Sequence, residues 1–188
     1  MPRISDDRKD ARRRQILEAA VRCFARDGFQ GATIPDICAE AALSVGAVYS
    51  YFASKDAIIA ALAGSGRRAT ANLIGDAPGE TPIERLRAVL GGLMRPGAAE
   101  TFQLDVRAWG EAIGNDTLRA VVTASQAETT AALTALLQPL AQAREIAPEA
   151  LGALVTAVIA GSEVRRAISP DADLSRQLEA LVALLQPA

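Results

Sequence analysis

Residues 33–52 read TIPDICAEAALSVGAVYSYF, and the fold turns on how this stretch divides. Thr33 is a good helix N-cap, and Asp36, three positions on, can accept the Thr33 backbone N–H in a reciprocal capping box. Pro35 falls in the first turn, where the N–H it lacks would have no helical acceptor. Ile34, Ile37, Cys38 and Ala41 recur at helical spacing, giving an apolar face that the preceding helix must cover. Ala42 and Leu43 then form a turn, Ser44 caps a second helix, and Val48 and Phe52 point inward from it. Gly46, Ala47 and Ser50 leave its opposite side small. A glycine inside a helix costs about 1 kcal/mol relative to alanine, so Gly46 needs a reason. Two readings supply one: close approach of this helix to the major groove of DNA, or a small residue at a helix crossing.

Upstream, residues 11–27 predict a helix with Ile16, Ala20, Cys23 and Phe24 inward and Gly28 as its left-handed stop. Arg12, Arg13 and Arg14, with Arg3, Arg8 and Lys9 ahead of them, form a flexible basic arm suited to phosphates or the adjacent minor groove. Asp6, Asp7 and Asp10 dilute it, and a merely solvated terminus is the alternative. Downstream, Ser54 caps a fourth helix carrying Ile58, Ile59 and Leu62, weakened or interrupted at Gly64 and Gly66. Lys55 sits in its first turn, where a cation gains nothing from the helix dipole; a DNA phosphate or plain solvent exposure accounts for it equally. Residues 75–82, GDAPGETP, read as a joint. Further helices are predicted at 83–95, 99–113, 117–137 with continuation past Pro139, 148–168 and 174–185. The fold class is therefore all-α: an N-terminal three-helix helix-turn-helix domain over 1–54, then a larger helical domain over 55–188.

Composition limits the function. Of 188 residues half are apolar, with one Trp, two Tyr and four Phe, so the core is mainly aliphatic. No run approaches about 18 uninterrupted apolar residues, and MPRISDDRKDARRR lacks the apolar stretch of a secretory signal; no membrane partner and a cytoplasmic location are expected. The net charge is −2, but residues 1–60 carry nine Lys or Arg against eight Asp or Glu, and the remainder eleven against fourteen. With no His, no zinc constellation can form, and no cofactor or metal is expected. No Ser or Cys stands beside an evident base, which argues against an enzyme. Cys23 and Cys38 read as small buried residues, with a thiol sensor as the alternative. On the last two helices Leu151, Leu154, Val155, Val158 and Ile159, and Leu174, Leu178, Leu181, Val182 and Leu185, form broad stripes. Pairing with a second copy in a four-helix bundle would bury the excess.

Gly31, Ala32, Thr33, Ile37, Ala41, Ser44, Gly46, Tyr49, Tyr51, Phe52 and Lys55 stand where the TetR family of bacterial transcriptional repressors carries its pattern G-T-T-x-x-x-I-A-x-x-A-G-V-S-x-G-x-x-Y-x-Y-F-x-x-K. Residues 11–62 resemble that family closely, the rest loosely. The resemblance implies a homodimer on a palindromic double-stranded DNA operator, released by an unknown small-molecule effector. It places Thr33, Tyr49 and Lys55 on phosphates, Ser44 and Val45 at the leading end of the recognition helix, Gly46 and Ala47 on the groove floor, and Ser50 as a further contact. Arg14 belongs to the basic arm beside them. Val45 and Ala47 suit a thymine methyl, while no Arg, Asn or Gln on this helix can make a bidentate base contact. Two departures stand out: Ala42 replaces the family's turn glycine, and Cys38 its alanine. Dimerisation is expected through Leu151, Val155, Val158 and Ile159 of one helix with Leu174, Leu178, Leu181 and Leu185 of the next.

For the effector, the C-terminal part offers only Phe102 and Trp109 as aromatics, seven apart and so on one helix face with Asp105. An apolar wall with one acidic group suits a cationic or amine-bearing ligand; Trp109 in the core with Asp105 paired to an arginine is the alternative. A purely architectural DNA-binding protein and a thiol-switched regulator are the rival functions.

Overall fold

The computed structural model describes residues 6–93, 98–169 and 171–186, and all the regular structure among them is helical. The order is α1 (Asp6–Gly31), α2 (Ile34–Glu40), α3 (Val45–Tyr49), α4 (Lys55–Gly75), α5 (Pro82–Leu93), α6 (Ala98–Ala112), α7 (Asp116–Ala143), α8 (Pro148–Ile168) and α9 (Ser175–Leu185). Helix α1 begins earlier than its apolar pattern, so the described part of the basic segment is helical rather than a flexible arm. Gly28 does break it, with φ 74 and ψ 170, but the chain resumes one more helical turn to Gly31. Phe24 and Phe29 stack across that break with ring centroids 4.7 Å apart.

Two apolar clusters organise the chain. The N-terminal one gathers Ile16, Phe24, Ile37, Val48, Phe52 and Ile58, and also takes Ala112 from the end of α6 and Leu118 from the start of α7. The second is built on α5, α7, α8 and α9, from residues such as Leu86, Leu133, Leu137, Val155 and Val182. Helix α4 runs unbroken through Gly64 and Gly66, contributing Ile58 to the first cluster and Ile74 to the second. Its far end is tied down by Arg85, which donates to the carbonyls of Gly75 at 2.9 Å and Ala77 at 3.2 Å. The joint at 75–82 is thus anchored by a side chain from the following helix.

Helices α7 and α8 cross closely. A Cβ on Gly152 would fall onto the Thr134 side chain of α7, so only glycine fits this crossing. Thr130 Oγ1 donates to Thr156 Oγ1 at 3.1 Å, and Thr156 Oγ1 donates to the Gly152 carbonyl at 2.9 Å, which satisfies these hydroxyls between the two helices. Helix α7 continues through Pro139 to Ala143.

The expected dimer stripe needs correction. Leu151, Val155, Ile159, Leu174, Leu178, Leu181 and Leu185 are buried within the single chain, and Val158 packs partly against the same cluster. All but Leu174 belong to the cluster shared with α5 and α7, because α8 packs on α7 and α9 lies against α5. The large apolar side chains left outward on these helices are Leu154 and Ile168 of α8, 55% and 75% exposed, and Leu184 of α9, 75% exposed.

Candidate functional site

The capping chemistry of residues 33–52 is realised. Thr33 Oγ1 accepts the Asp36 N–H at 3.3 Å, and Asp36 Oδ2 accepts the Thr33 N–H at 2.9 Å. The same carboxylate accepts the Thr33 hydroxyl, and these bonds hold the Asp36 carboxyl below its ordinary pKa. Helix α2 ends at Ala41, and Ala42 adopts φ 52, the left-handed turn position that a glycine would occupy at lower cost. Leu43 N–H closes the turn onto the Cys38 carbonyl at 2.9 Å. From α1, Gln15 Nε2 donates to the Ala41 carbonyl at 2.7 Å, fixing the turn against the first helix.

Helix α3 starts at Ser44, whose Oγ accepts the Ala47 N–H at 3.2 Å. Val48 is fully buried, and this anchors the helix by one face. The other face is open: Val45 is 46% and Tyr49 51% exposed, and a Cβ built on Gly46 would meet nothing within 4 Å. The helix-crossing reading of Gly46 is therefore excluded. Ser44 and Ser50 are also exposed, and Ala47 is half-buried beside them. Ser50 Oγ donates to the Ala47 carbonyl at 2.6 Å, which engages its proton within the helix.

Two expected phosphate ligands are otherwise engaged. Lys55 Nζ donates to the carbonyls of Phe29 at 2.7 Å, Ala32 at 3.1 Å and Gln30 at 3.4 Å. An ammonium has three protons, so Lys55 is a clasp between the end of α1 and the start of α4. Thr33 likewise directs both its N–H and its hydroxyl to Asp36, whose negative charge also opposes an incoming phosphate. Around α3 the basic side chains come from α1: Arg14 is exposed, and Arg13 stacks over the Phe52 ring with its guanidinium carbon 4.5 Å from the centroid. Arg8, Arg12, Gln15 and Tyr51 line a shallow groove next to them. Arg8, Arg12 and Gln15 fall on one face because α1 is helical from Asp6.

Cys23 and Cys38 are buried, and burial pushes both thiols above their ordinary pKa, which disfavours the thiolate a redox sensor needs.

A cavity of about 120 Å³ lies in the C-terminal part. Asp105 and Trp109 of α6 line it together, as their four-residue spacing requires; the Phe102 side chain lies outside the described residues. Glu163 of α8 enters from another wall, with Ile74, Val89 and Ile159 among the apolar residues around it. Neither Asp105 nor Glu163 has a hydrogen bond or ion pair with any described residue, so the pairing of Asp105 with Arg107 is absent. Burial raises the Asp105 pKa to about 6; burial first, and the nearby Asp105 second, raise Glu163 to about 7. The signal for Glu163 was legible: Leu151, Val155 and Ile159 form an i, i+4 row into the interior, and Glu163 continues it.

The described residues form a helix-turn-helix with an outward second helix, followed by a larger helical bundle with a mixed polar and apolar cavity, an architecture shared with known transcriptional regulators. The sequence signature of the bacterial regulatory proteins of the tetR family matches residues 16–62. A transcriptional repressor of Mycobacterium tuberculosis, Rv1474c, is 46% identical over 63 residues, 34% of each chain. The chain thus matches about a third of the length of that relative. A solved structure described as a transcriptional regulator of Pseudomonas aeruginosa PAO1 superposes with a TM-score of 0.76 at 27% identity, covering 94% of this chain and 89% of that one. Salmonella enterica GusR superposes with a TM-score of 0.80 at 22% identity over 98% of both chains, a likeness of fold. Residues 16–62 thus carry the helix-turn-helix segment of the tetR family, and the whole chain has the fold of solved transcriptional regulators. No helix among the described residues is long and apolar enough to cross a membrane.

Proposed function

We propose that this chain is a sequence-specific repressor that binds operator DNA as a homodimer and is released by a small molecule held in the cavity around Asp105 and Trp109. The observation that carries the DNA-binding half is the open face of α3 at Val45, Gly46 and Tyr49, held rigidly by the buried Val48. With no glycine-filling neighbour, the α3 backbone can approach the groove floor, Val45 offers a methyl contact to thymine, and Tyr49 and Arg14 reach phosphates. Affinity then comes largely from the phosphate backbone and DNA shape, with few base-edge hydrogen bonds.

Two α3 helices reading successive major grooves need a separation of about 34–36 Å or a multiple of it. A second copy of the chain supplies the other helix. Release follows if a ligand prefers a different separation; moving most of the population takes a preference of about 5 kcal/mol. The route from cavity to α3 runs along α6, which carries Asp105 and Trp109 and ends with Ala112 inside the N-terminal cluster.

The test compares binding to the DNA upstream of its own gene with binding to a random duplex at physiological salt. A repressor prefers the former by about 1000-fold or more. Equal affinities would instead favour an architectural protein.

A further inference from the structure

Asp105 and Glu163 stand on different helices, α6 and α8, yet line one cavity. The described lining contains no Lys, Arg or His, and neither carboxylate has a hydrogen-bond or ion-pair partner among the described residues. Burying carboxylates without a counter-charge is costly, and two together compound the cost through like-charge repulsion. Their burial raises both pKa values to about 6 and about 7, so at neutral pH the cavity still carries negative charge, with no positive side chain in its described lining. The remaining wall is of a different kind: the Trp109 indole with Ile74, Val89 and Ile159. An aromatic face beside carboxylates attracts ammonium groups through its quadrupole, and aliphatic walls take an apolar body.

We propose that this cavity binds a small organic cation, its ammonium group between Asp105 and Glu163 and its apolar body against Trp109. This rests on the reading of the cavity as the effector site and names the chemistry of the effector. The volume of about 120 Å³ is close to that of cavities that hold a single benzene ring, which limits the ligand to about one ring or a short branched chain. A bare metal ion fits less well: no group of three or more Cys, Asp or Glu among the described residues is placed to hold one, and the indole and aliphatic walls give a metal nothing.

Trp109 is the single tryptophan, so its fluorescence reports this cavity alone. The full-length protein is titrated with benzylammonium, benzyl alcohol, benzoate and Mg²⁺, first without DNA. Benzylammonium is expected to change Trp109 emission saturably and to bind at least tenfold more tightly than the alcohol or benzoate. Glu163→Gln and Asp105→Asn should each weaken benzylammonium about tenfold while leaving the alcohol unchanged, and both variants should keep the parent's far-ultraviolet circular dichroism. The proposal is overturned if benzylammonium gives no saturable change, if alcohol or benzoate binds as well, if the variants keep the preference for the cation, or if only Mg²⁺ elicits a response. Operator binding is then measured with and without saturating benzylammonium. Cation binding without operator release would leave the cavity assignment standing and remove the effector reading instead.

Discussion

Glu111 Oε1, on α6, accepts the backbone N–H of Phe29 at 2.9 Å, a hydrogen bond that spans 82 positions and joins the cavity-lining helix to the end of α1. The same oxygen lies 3.0 Å from where a Cβ on Gly28 would sit, and Gly28 has φ 74. The positive φ favours a glycine there, and an added Cβ would also crowd the Glu111 carboxylate that holds the Phe29 N–H. The bond makes α6 a physical link between the two apolar clusters, because one end of it faces the cavity and the other is fixed to the helix-turn-helix.

Gly28→Ala should cost roughly 1–2 kcal/mol of stability, from positive φ and the approach to Glu111. Glu111→Ala leaves the Phe29 N–H without its acceptor, but it also removes Glu111 Oε2, which is buried with no hydrogen-bond partner. These opposing effects leave a loss of about 1 kcal/mol. Urea denaturation measures both. In Glu111→Ala the cavity should still bind its ligand while operator release by that ligand is blunted. An undiminished release would show that α6 signals by another route.

Lys55 separates a structural role from a DNA-contacting one. Because its ammonium donates to the Phe29, Gln30 and Ala32 carbonyls, Lys55→Met should lower stability by about 1–3 kcal/mol. The slope of log affinity against log salt for operator binding should be unchanged, whereas loss of a phosphate contact would reduce it by about 1 per site. Denaturation together with a salt titration of DNA binding checks both halves.

The buried carboxylates make stability depend on pH. Glu163 is raised from 4.5 to about 7 in the folded chain, so its protonated form is favoured there. The stabilisation is fully present below the unfolded value and is lost as pH rises through about 7, a window of roughly pH 4 to 8. The charged form then costs at most about 3 kcal/mol at the upper end. Glu163→Gln should therefore be close to the parent at pH 4 and more stable than it at pH 8, by about 1–3 kcal/mol. Thermal unfolding at the two pH values decides the matter; equal shifts at both would mean that Glu163 is solvated.

How far the sequence could be read depended on whether function or packing left a local signature. The caps at Thr33, Ser44 and Ser54 and the inward Val48 and Phe52 follow from neighbours within four residues, and all are observed. Asp105 and Trp109 share a cavity because helical spacing alone puts them on one face. The carbonyls that Lys55 reaches lie 23 to 26 positions away, beyond any local pattern, so its clasp leaves no signature in the sequence. Glu163 does leave one, in its register with Leu151, Val155 and Ile159. The terminal stripes were rightly identified as apolar, but periodicity cannot say whether a stripe faces its own chain or another.

That last ambiguity defines the dimer prediction. With Leu151, Val155, Leu178 and Leu181 enclosed by their own chain, α8 and α9 offer a second copy their outward row. On α8 this row runs through Leu154, Ala157 and Gly161, and on α9 through Ala180 and Leu184, all exposed. Small residues at i, i+3 and i+4 spacing allow close helix approach, and the two leucines supply the apolar contact. Leu154→Asp with Leu184→Asp should dissociate the dimer at micromolar concentration, since a dimer would bury both charges unpaired, with little effect on the fold of either subunit. Operator affinity should fall with it, because a lone α3 reads one half-site. Sedimentation velocity gives the oligomeric state and circular dichroism the fold. By contrast, Val155→Asp buries a charge inside the chain and should unfold the protein outright; a folded, monomeric Val155→Asp would return the interface to the inner stripe.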